Sequence, residues 1–150
     1  MAFVIRDLQQ EDRLGWERLW AGYLEFYKSS IAPEVTATTF ARLLDRNEPM
    51  FSLVADDDAT HELIGMVNCV IHPTTWSRQD YCYLGDLFTA PAARKRGVAR
   101  ALIEGVYARA DELNLGRVYW MTHESNETAR KLYDQVATNS GFIQYRRARS

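Results

Sequence analysis

Tyr81-Cys-Tyr-Leu-Gly-Asp-Leu-Phe-Thr89-Ala-Pro91-Ala-Ala-Arg94-Lys-Arg-Gly97-Val-Ala-Arg100-Ala-Leu102 is the stretch on which the fold turns. Its first nine residues are apolar and aromatic, the composition of a strand, and Pro91 ends the run because proline cannot donate to a central ladder. After Gly97, apolar residues recur at Val98, Leu102, Val106 and Ala110, and at Ala99, Ile103 and Leu113, the spacing of a helix with one buried stripe. A basic turn therefore joins a strand to a helix start. Unpaired backbone N–H groups and the positive end of the helix dipole gather there, and together they attract phosphate. Arg94, Lys95, Arg96 and Arg100 add point charges, Gly97 removes a Cβ where a ligand would approach, and Ala99 keeps the next position small. A solvated basic helix start is the plainer reading of the same residues.

Working outward, Phe3 to Arg6 reads as a short strand, and Asp12 to Tyr27 as a helix with Trp16, Leu19, Trp20, Tyr23 and Phe26 at helical spacing. A second helix is expected around Thr39 to Arg46, stopped by Asn47-Glu-Pro49. Phe51 to Ala55 and Glu62 to Ile71 read as strands, and the polar turn Asp56-Asp-Asp-Ala-Thr60 makes them a hairpin. Beyond the Val98 helix come a strand Arg117 to Thr122, a helix Asn126 to Val136 and a closing strand Gly141 to Tyr145. The order is β-α-α-β-β-β-α-β-α-β. A strand that crosses through a helix to another strand implies parallel neighbours, so the Tyr81 and Val118 strands are expected side by side. Ligands in such sheets sit beyond the carboxyl ends of the strands.

The chain has 150 residues, 47% of them hydrophobic, which suits one domain spanning 1–150. A net charge of −2 gives no polycationic footprint, so nucleic acid is disfavoured as the main ligand. The first residues lack a signal-peptide core, and no window approaches the ~18 apolar residues that span a bilayer. A cytoplasmic protein without a membrane contact is the expectation. Cys69 and Cys82 lie inside strand-like runs and read as buried reduced thiols. His61, His72 and His123 have no ligand spacing, and Asp56-Asp-Asp58 lacks the glycine and distal glutamate of a calcium loop, so no metal is expected.

Two segments then carry a family resemblance. Leu87-Phe-Thr-Ala-Pro-Ala-Ala-Arg94-Lys-Arg-Gly97-Val-Ala99 resembles the Q/R-x-x-G-x-G/A loop of the GCN5-related N-acetyltransferases with its preceding strand end. Asn126-Glu-Thr-Ala129-Arg-Lys-Leu132-Tyr133, followed by Gly141-Phe142, is similar to the N-x-x-A-x-x-L-Y helix and G-F strand start of the same family. The resemblance covers essentially the whole chain and is closest in character to the histone/polyamine acetyltransferase branch. It implies an α/β fold with a mixed sheet of six or seven strands, antiparallel in its N-terminal part, a parallel pair splayed at the cofactor, and about four helices. It also implies acetyl-CoA as cofactor, a primary amine as acceptor (polyamine, small amine or a lysine-like side chain of a peptide), direct attack in a ternary complex, and often a homodimer. The basic tail Tyr145-Arg-Arg-Ala-Arg149 is one segment that could serve the last.

By that resemblance, backbone from Arg94 to Arg100, including Lys95, Arg96, Gly97, Val98 and Ala99, binds the pyrophosphate. Leu87, Phe88 and Thr89 would pair with the pantetheine like an added strand, and an N–H of Leu87 or Phe88 would polarise the thioester carbonyl. Asn126 either reaches the cofactor amide or simply caps its helix. Tyr133, two turns on and on the same face, would protonate the departing thiolate, or else is a core tyrosine. For the base, Asp86 sits mid-strand among apolar residues, where burial raises a carboxyl pKa, although polyamine acetyltransferases of similar sequence carry a glutamate where this chain has Gly85. His123 and a water relay are the other options. Tyr23, Glu25, Tyr27, Asp86 and Trp120 are the candidates for the acceptor pocket, aromatic faces and a carboxylate that suit a cationic amine; an aromatic stripe is also what a core helix shows. Strand alternation puts Cys82 on the Asp86 face, but roughly 13 Å back, too far for a nucleophile. A non-catalytic acyl-CoA-binding domain would keep the basic turn and not need Tyr133.

Overall fold

A computed structural model describes residues 2–149. Five strands form one sheet in chain order: β1 (Phe3–Asp7), β2 (Met50–Asp57), β3 (Leu63–His72), β4 (Tyr81–Thr89) and β5 (Arg117–Tyr119). The first four are antiparallel, and β4 runs parallel to β5. The helices are α1 (Arg13–Phe26), α2 (Pro33–Leu44), α3 (Val98–Glu112) and α4 (Glu127–Val136). The class is as expected, a mixed sheet with an antiparallel N-terminal part and one parallel pair.

The sheet is covered on both faces, which is why β2 and β3 read as near-continuous apolar runs. On one side α1 and α2 bring Trp16, Leu19, Trp20, Phe40 and Leu43 onto Val54, Met66 and Phe88. On the other, α3 lays Val98, Leu102, Ile103 and Val106 on Val67, Cys69, Cys82 and Leu84, with Leu132, Tyr133 and Val136 of α4 alongside. Burying each large aliphatic or aromatic side chain contributes about 1.5–3 kcal/mol, so the two layers hold the sheet between them.

Three expectations need correction. Helix α2 begins at Pro33, not near Thr39: proline at the first helical position has its φ already set and loses no hydrogen bond, and this outweighs the low helix propensity of the threonines. Strand β5 stops at Tyr119 instead of Thr122. The closing strand Gly141 to Tyr145 does not form, so the sheet has five strands among the described residues, not six or seven. Its backbone takes a local alternative: Gly141 N–H donates to Asn139 Oδ1 at 2.9 Å and Phe142 N–H to Ser140 Oγ at 3.3 Å, with Gly141 at φ +82°. The three-residue β5 offers little ladder to extend. Phe142, Ile143 and Tyr145 are left 91%, 77% and 89% exposed.

A bulge in β4 decides what its two faces present. Asn68 pairs with Asp86 and the next β3 residue, Cys69, pairs with Leu84, so Gly85 is the extra residue. Cys82 and Leu84 face α3, whereas Asp86 and Phe88 face α1. The bulge thus puts Cys82 on the face opposite Asp86, correcting the simple alternation.

Gly65 of β3 fixes the seat of α3. A Cβ there would lie 2.6 Å from Val98 Cγ1 and 3.1 Å from Leu102 Cδ1. Gly65→Ala is expected to cost about 1–3 kcal/mol as overpacking, read as a lower urea midpoint with an unchanged m value.

Candidate functional site

The parallel pair is short. Tyr81, Cys82 and Tyr83 pair with Arg117, Val118 and Tyr119, and beyond Tyr83 the two strands part. From Leu84 to Thr89 the β5-facing backbone edge of β4 has no strand partner. That opening lies between the basic turn and the α1 aromatic residues.

The turn is built by two left-handed residues. Pro91–Ala93 forms a single 3-10 turn, Lys95 has φ +68°, and Gly97, at φ +81° and ψ 15°, is the N-cap of α3. Glycine is required at 97 by its dihedral angles, since a Cβ there would meet nothing within 4 Å. No side chain caps α3, so its first N–H groups point outward unspent. Alternating handedness with free N–H groups is a geometry that suits an anion.

The four cations are not equivalent. Arg94 lies over the Phe88 ring at 5.8 Å and reaches the Thr89 carbonyl at 3.4 Å. Lys95 is exposed. Arg100 donates to Gln135 Oε1 on α4. Arg96 turns away: it pairs with Asp57 Oδ2 at 3.1 Å and lies over the Phe3 ring, tying the turn to the end of β2.

On the α1 side Asp86 is the centre. Burial pushes its carboxyl above the ordinary range, opposed by the Asn68 amide and by the nearby Tyr23 hydroxyl. Asn68 Nδ2 donates to Asp86 Oδ2 at 3.2 Å, and the Tyr23 hydroxyl lies 3.4 Å from the Gly85 carbonyl. Tyr23, Tyr27 and Tyr83 surround the carboxylate; burial and its negative charge both raise their pKa values. Tyr133 is also raised, by burial first and then by Tyr27, and its ring meets Trp120 edge-on at 5.4 Å. The hydroxyl of Tyr133 has no hydrogen-bond partner among the described residues.

The remaining sequence candidates fall as follows. Asn126 is the N-cap of α4, its Oδ1 accepting from Ala129 N–H at 3.4 Å. Trp120 packs between Tyr133 and Tyr107 against the α3-side core. Glu25 is exposed, on the far side of α1 from Tyr23. His123 sits 5.9 Å from the Tyr27 ring, beside an open cavity of about 350 Å³ lined by Phe26, Tyr27, Lys28, His123, Ser125 and Asn126. Lys28 ends α1 in the left-handed region, φ +52°, while Ser29 N–H bonds to Leu24 O and Lys28 N–H to Glu25 O. Trp76 is 88% exposed in its loop.

Sequence reasoning missed Asn68, Ser52, Lys28 and Tyr83. For Asn68 a signal existed: it is the one amide in the apolar run Leu63–His72.

A basic strand-turn-helix, a parted strand pair, and a half-buried carboxylate among tyrosines suit transfer of an activated group from a phosphate-bearing carrier to an amine. The chain matches the acetyltransferase (GNAT) family over residues 9–137 and belongs to it. It is an N-acetyltransferase. It is 38% identical over 144 residues, 96% of this chain and 89% of the relative, to the D-amino-acid N-acetyltransferase HPA3 of Saccharomyces cerevisiae (strain ATCC 204508 / S288c). Its fold is similar to that of a ribosomal-protein-alanine N-acetyltransferase from Brucella melitensis biovar Abortus 2308, with TM-score 0.81, 24% identity, and 98% and 99% of the two chains covered. It is likewise similar to AAC(6')-Iy in complex with a bisubstrate analogue of CoA, with TM-score 0.85, 18% identity and full coverage of both chains. No helix among the described residues is long and apolar enough to cross a membrane, and no cluster of potential metal ligands occurs among them.

Asp86 is expected to titrate above the usual ~3.9, because the buried environment disfavours the charged form. Carboxyl carbon-13 shifts followed across pH in the free protein, with Asp86→Asn identifying the resonance, check this; a midpoint at or below the ordinary value would contradict it.

Proposed function

We propose that the protein transfers an acetyl group from acetyl-CoA to a primary amine held between Asp86 and the tyrosines of α1 and β4, and that this amine is the amino group of an amino acid. The observation that carries the reading is the parting of β4 from β5 next to an uncapped, basic helix start, a fit for a long carrier ending in a pyrophosphate. When bound, acetyl-CoA supplies the acetyl group as an activated thioester.

In this reading the N–H groups from Arg94 to Arg100, with Arg94, Lys95 and Arg100, hold the pyrophosphate, while Arg96 holds the turn in place through Asp57. Free backbone of Leu87, Phe88 and Thr89 pairs with the pantetheine, and an N–H of Leu87 or Phe88 faces the carbonyl oxygen, where negative charge builds. Asp86 takes a proton from the acceptor ammonium, leaving the lone pair for direct attack within a ternary complex. A raised carboxyl pKa makes it a stronger base at the same position. The Tyr133 hydroxyl, unpaired within the protein, gives its proton to the leaving sulfur.

The amino-acid assignment draws on the activity named for the yeast relative, and on Lys28 and His123 beside Tyr27, a place for a carboxylate one side chain away from the amine site. Polyamines are the second reading, favoured by three phenols around one carboxylate, a surface that suits a cation. A cytoplasmic site of action fits Cys69 and Cys82, unpaired and wholly buried on neighbouring strands. We also propose that residues 1–150 act as one acetyltransferase domain and that two copies associate through the exposed Phe142, Ile143 and Tyr145.

CoA release measured against D- and L-amino acids, polyamines, diamines and histone-tail peptides tests the acceptor. Turnover on amino acids that falls at least tenfold in Lys28→Ala is expected; turnover on polyamines alone favours the second reading, and cofactor binding without turnover on any amine would support a sensing role. Tyr133→Phe should lower kcat by about 10²-fold while leaving the KM for acetyl-CoA within about twofold. Arg96→Ala should lower thermal stability and change acetyl-CoA affinity less than Arg94→Ala does. Sedimentation of the full chain should show a dimer that Phe142→Ser with Ile143→Ser converts to monomer.

A further inference from the structure

Asn68 is buried at the centre of the α1 face and makes more side-chain hydrogen bonds than packing requires. Its Oδ1 accepts from the Trp16 indole N–H at 3.3 Å and from the Ser52 hydroxyl at 2.9 Å. An indole nitrogen only donates, so the amide cannot flip without stranding a buried donor. The NH₂ end is therefore forced toward Asp86, where Nδ2 lies 3.2 Å from Oδ2; its other neighbour is Met66 Sδ at 4.0 Å, a weak acceptor. Three elements converge on this arrangement: α1 through Trp16, β2 through Ser52, and β4 through Asp86. The β4 bulge at Gly85 brings the carboxylate to the face where the amide waits.

We propose that Asn68 is the positioning residue of the acceptor site, an amide locked by Trp16 and Ser52 so that it can only donate to Asp86, fixing the orientation in which the carboxylate meets the amine. The inference rests on Asp86 being the base. With Oδ2 engaged by the amide and the Tyr23 hydroxyl beside the carboxylate, the amine meets a carboxylate whose orientation is already set. A donor aimed at a buried carboxylate favours the charged form and works against desolvation. The titratable groups around Asp86 are Tyr23 and Tyr27 from α1 and Tyr83 from its own strand, none of them positively charged, while Cys69 of β3 lies on the opposite face of the sheet. Asn68 thus does the work that a cation does at many buried carboxylates, without making an ion pair that would compete with the ammonium of the substrate.

The sign follows. Removing the amide leaves burial less opposed, so the Asp86 pKa rises and the active, ionised base is lost at higher pH than in the wild type. The test is the pH profile of kcat/KM for the best amine, alongside carbon-13 titration of Asp86 in the free enzyme. Asn68→Leu, similar in shape, is expected to move the acidic limb up by about one pH unit, with about tenfold lower kcat/KM below it. Ser52→Ala, a mild change that leaves Asn68 in place but unlocks one side of its amide, should move limb and titration the same way by a smaller amount; it carries the test if Asn68→Leu does not fold. Should Asp86→Asn abolish the limb while Asn68→Leu and Ser52→Ala leave it at the wild-type pH, the positioning role is overturned and the base survives. A limb that persists in Asp86→Asn overturns both.

Discussion

One unpaired residue in β4 governs much of this molecule. Gly85 has no partner in β3, and the register on either side of it is offset, so a strand that begins by sending Cys82 and Leu84 toward α3 ends by sending Asp86 and Phe88 toward α1. Without that extra residue Asp86 would point at the apolar floor under α3, with no hydrogen-bonding partner. With it, the carboxylate meets Asn68, and the Gly85 carbonyl faces the Tyr23 hydroxyl. The parallel pairing to β5 ends just before the same point, after Tyr83, so the bend in the strand and the opening of the sheet are neighbouring events.

The result is a division of labour by face. The α3 side offers an uncapped helix start and cations, which suit phosphates. The α1 side offers a carboxylate and phenols, which suit an amine. The two chemistries repel if mixed: a cationic amine is poorly placed beside Arg94 and Lys95, and a polyphosphate beside Asp86. In the proposed reading the two meet where β4 and β5 separate, and Arg94, lying over Phe88 of the α1 face, stands at that junction.

How much of this could be read from the residues follows from the range of the forces involved. The strand-turn-helix from Tyr81 to Glu112 was legible to within a residue, because the switch from a continuous apolar run to helical spacing is local and Pro91 and Gly97 punctuate it. The helix carrying Tyr133, with Asn126 at its start, was legible for the same reason. The bulge was not: a glycine inside a strand is compatible with a regular ladder, and only its pairing with β3 reveals the offset. Asn68 was visible as an oddity in an apolar strand, yet its meaning depends on Trp16, fifty-two positions away. Residues 141–145 have the composition of a strand, but composition cannot say whether an edge is available, and here β5 is three residues long. The separate fate of Arg96 among the four cations was likewise hidden, since its partner Asp57 comes from the end of β2, thirty-nine positions away.

Lys95 gives the turn a further property. A lysine at φ +68° is held in a conformation that costs an L-residue roughly 1 kcal/mol or more, and nothing local to the turn demands a side chain there. The same backbone twist gives the turn the geometry that suits an anion, so the strain and the binding geometry are one feature. An anion seated on those groups would offset the strain, which means the loop is least at ease when empty and most at ease when filled. If that anion is the pyrophosphate of acetyl-CoA, as proposed, thermal stability and donor occupancy are linked quantities, and the folded population grows with the supply of the donor.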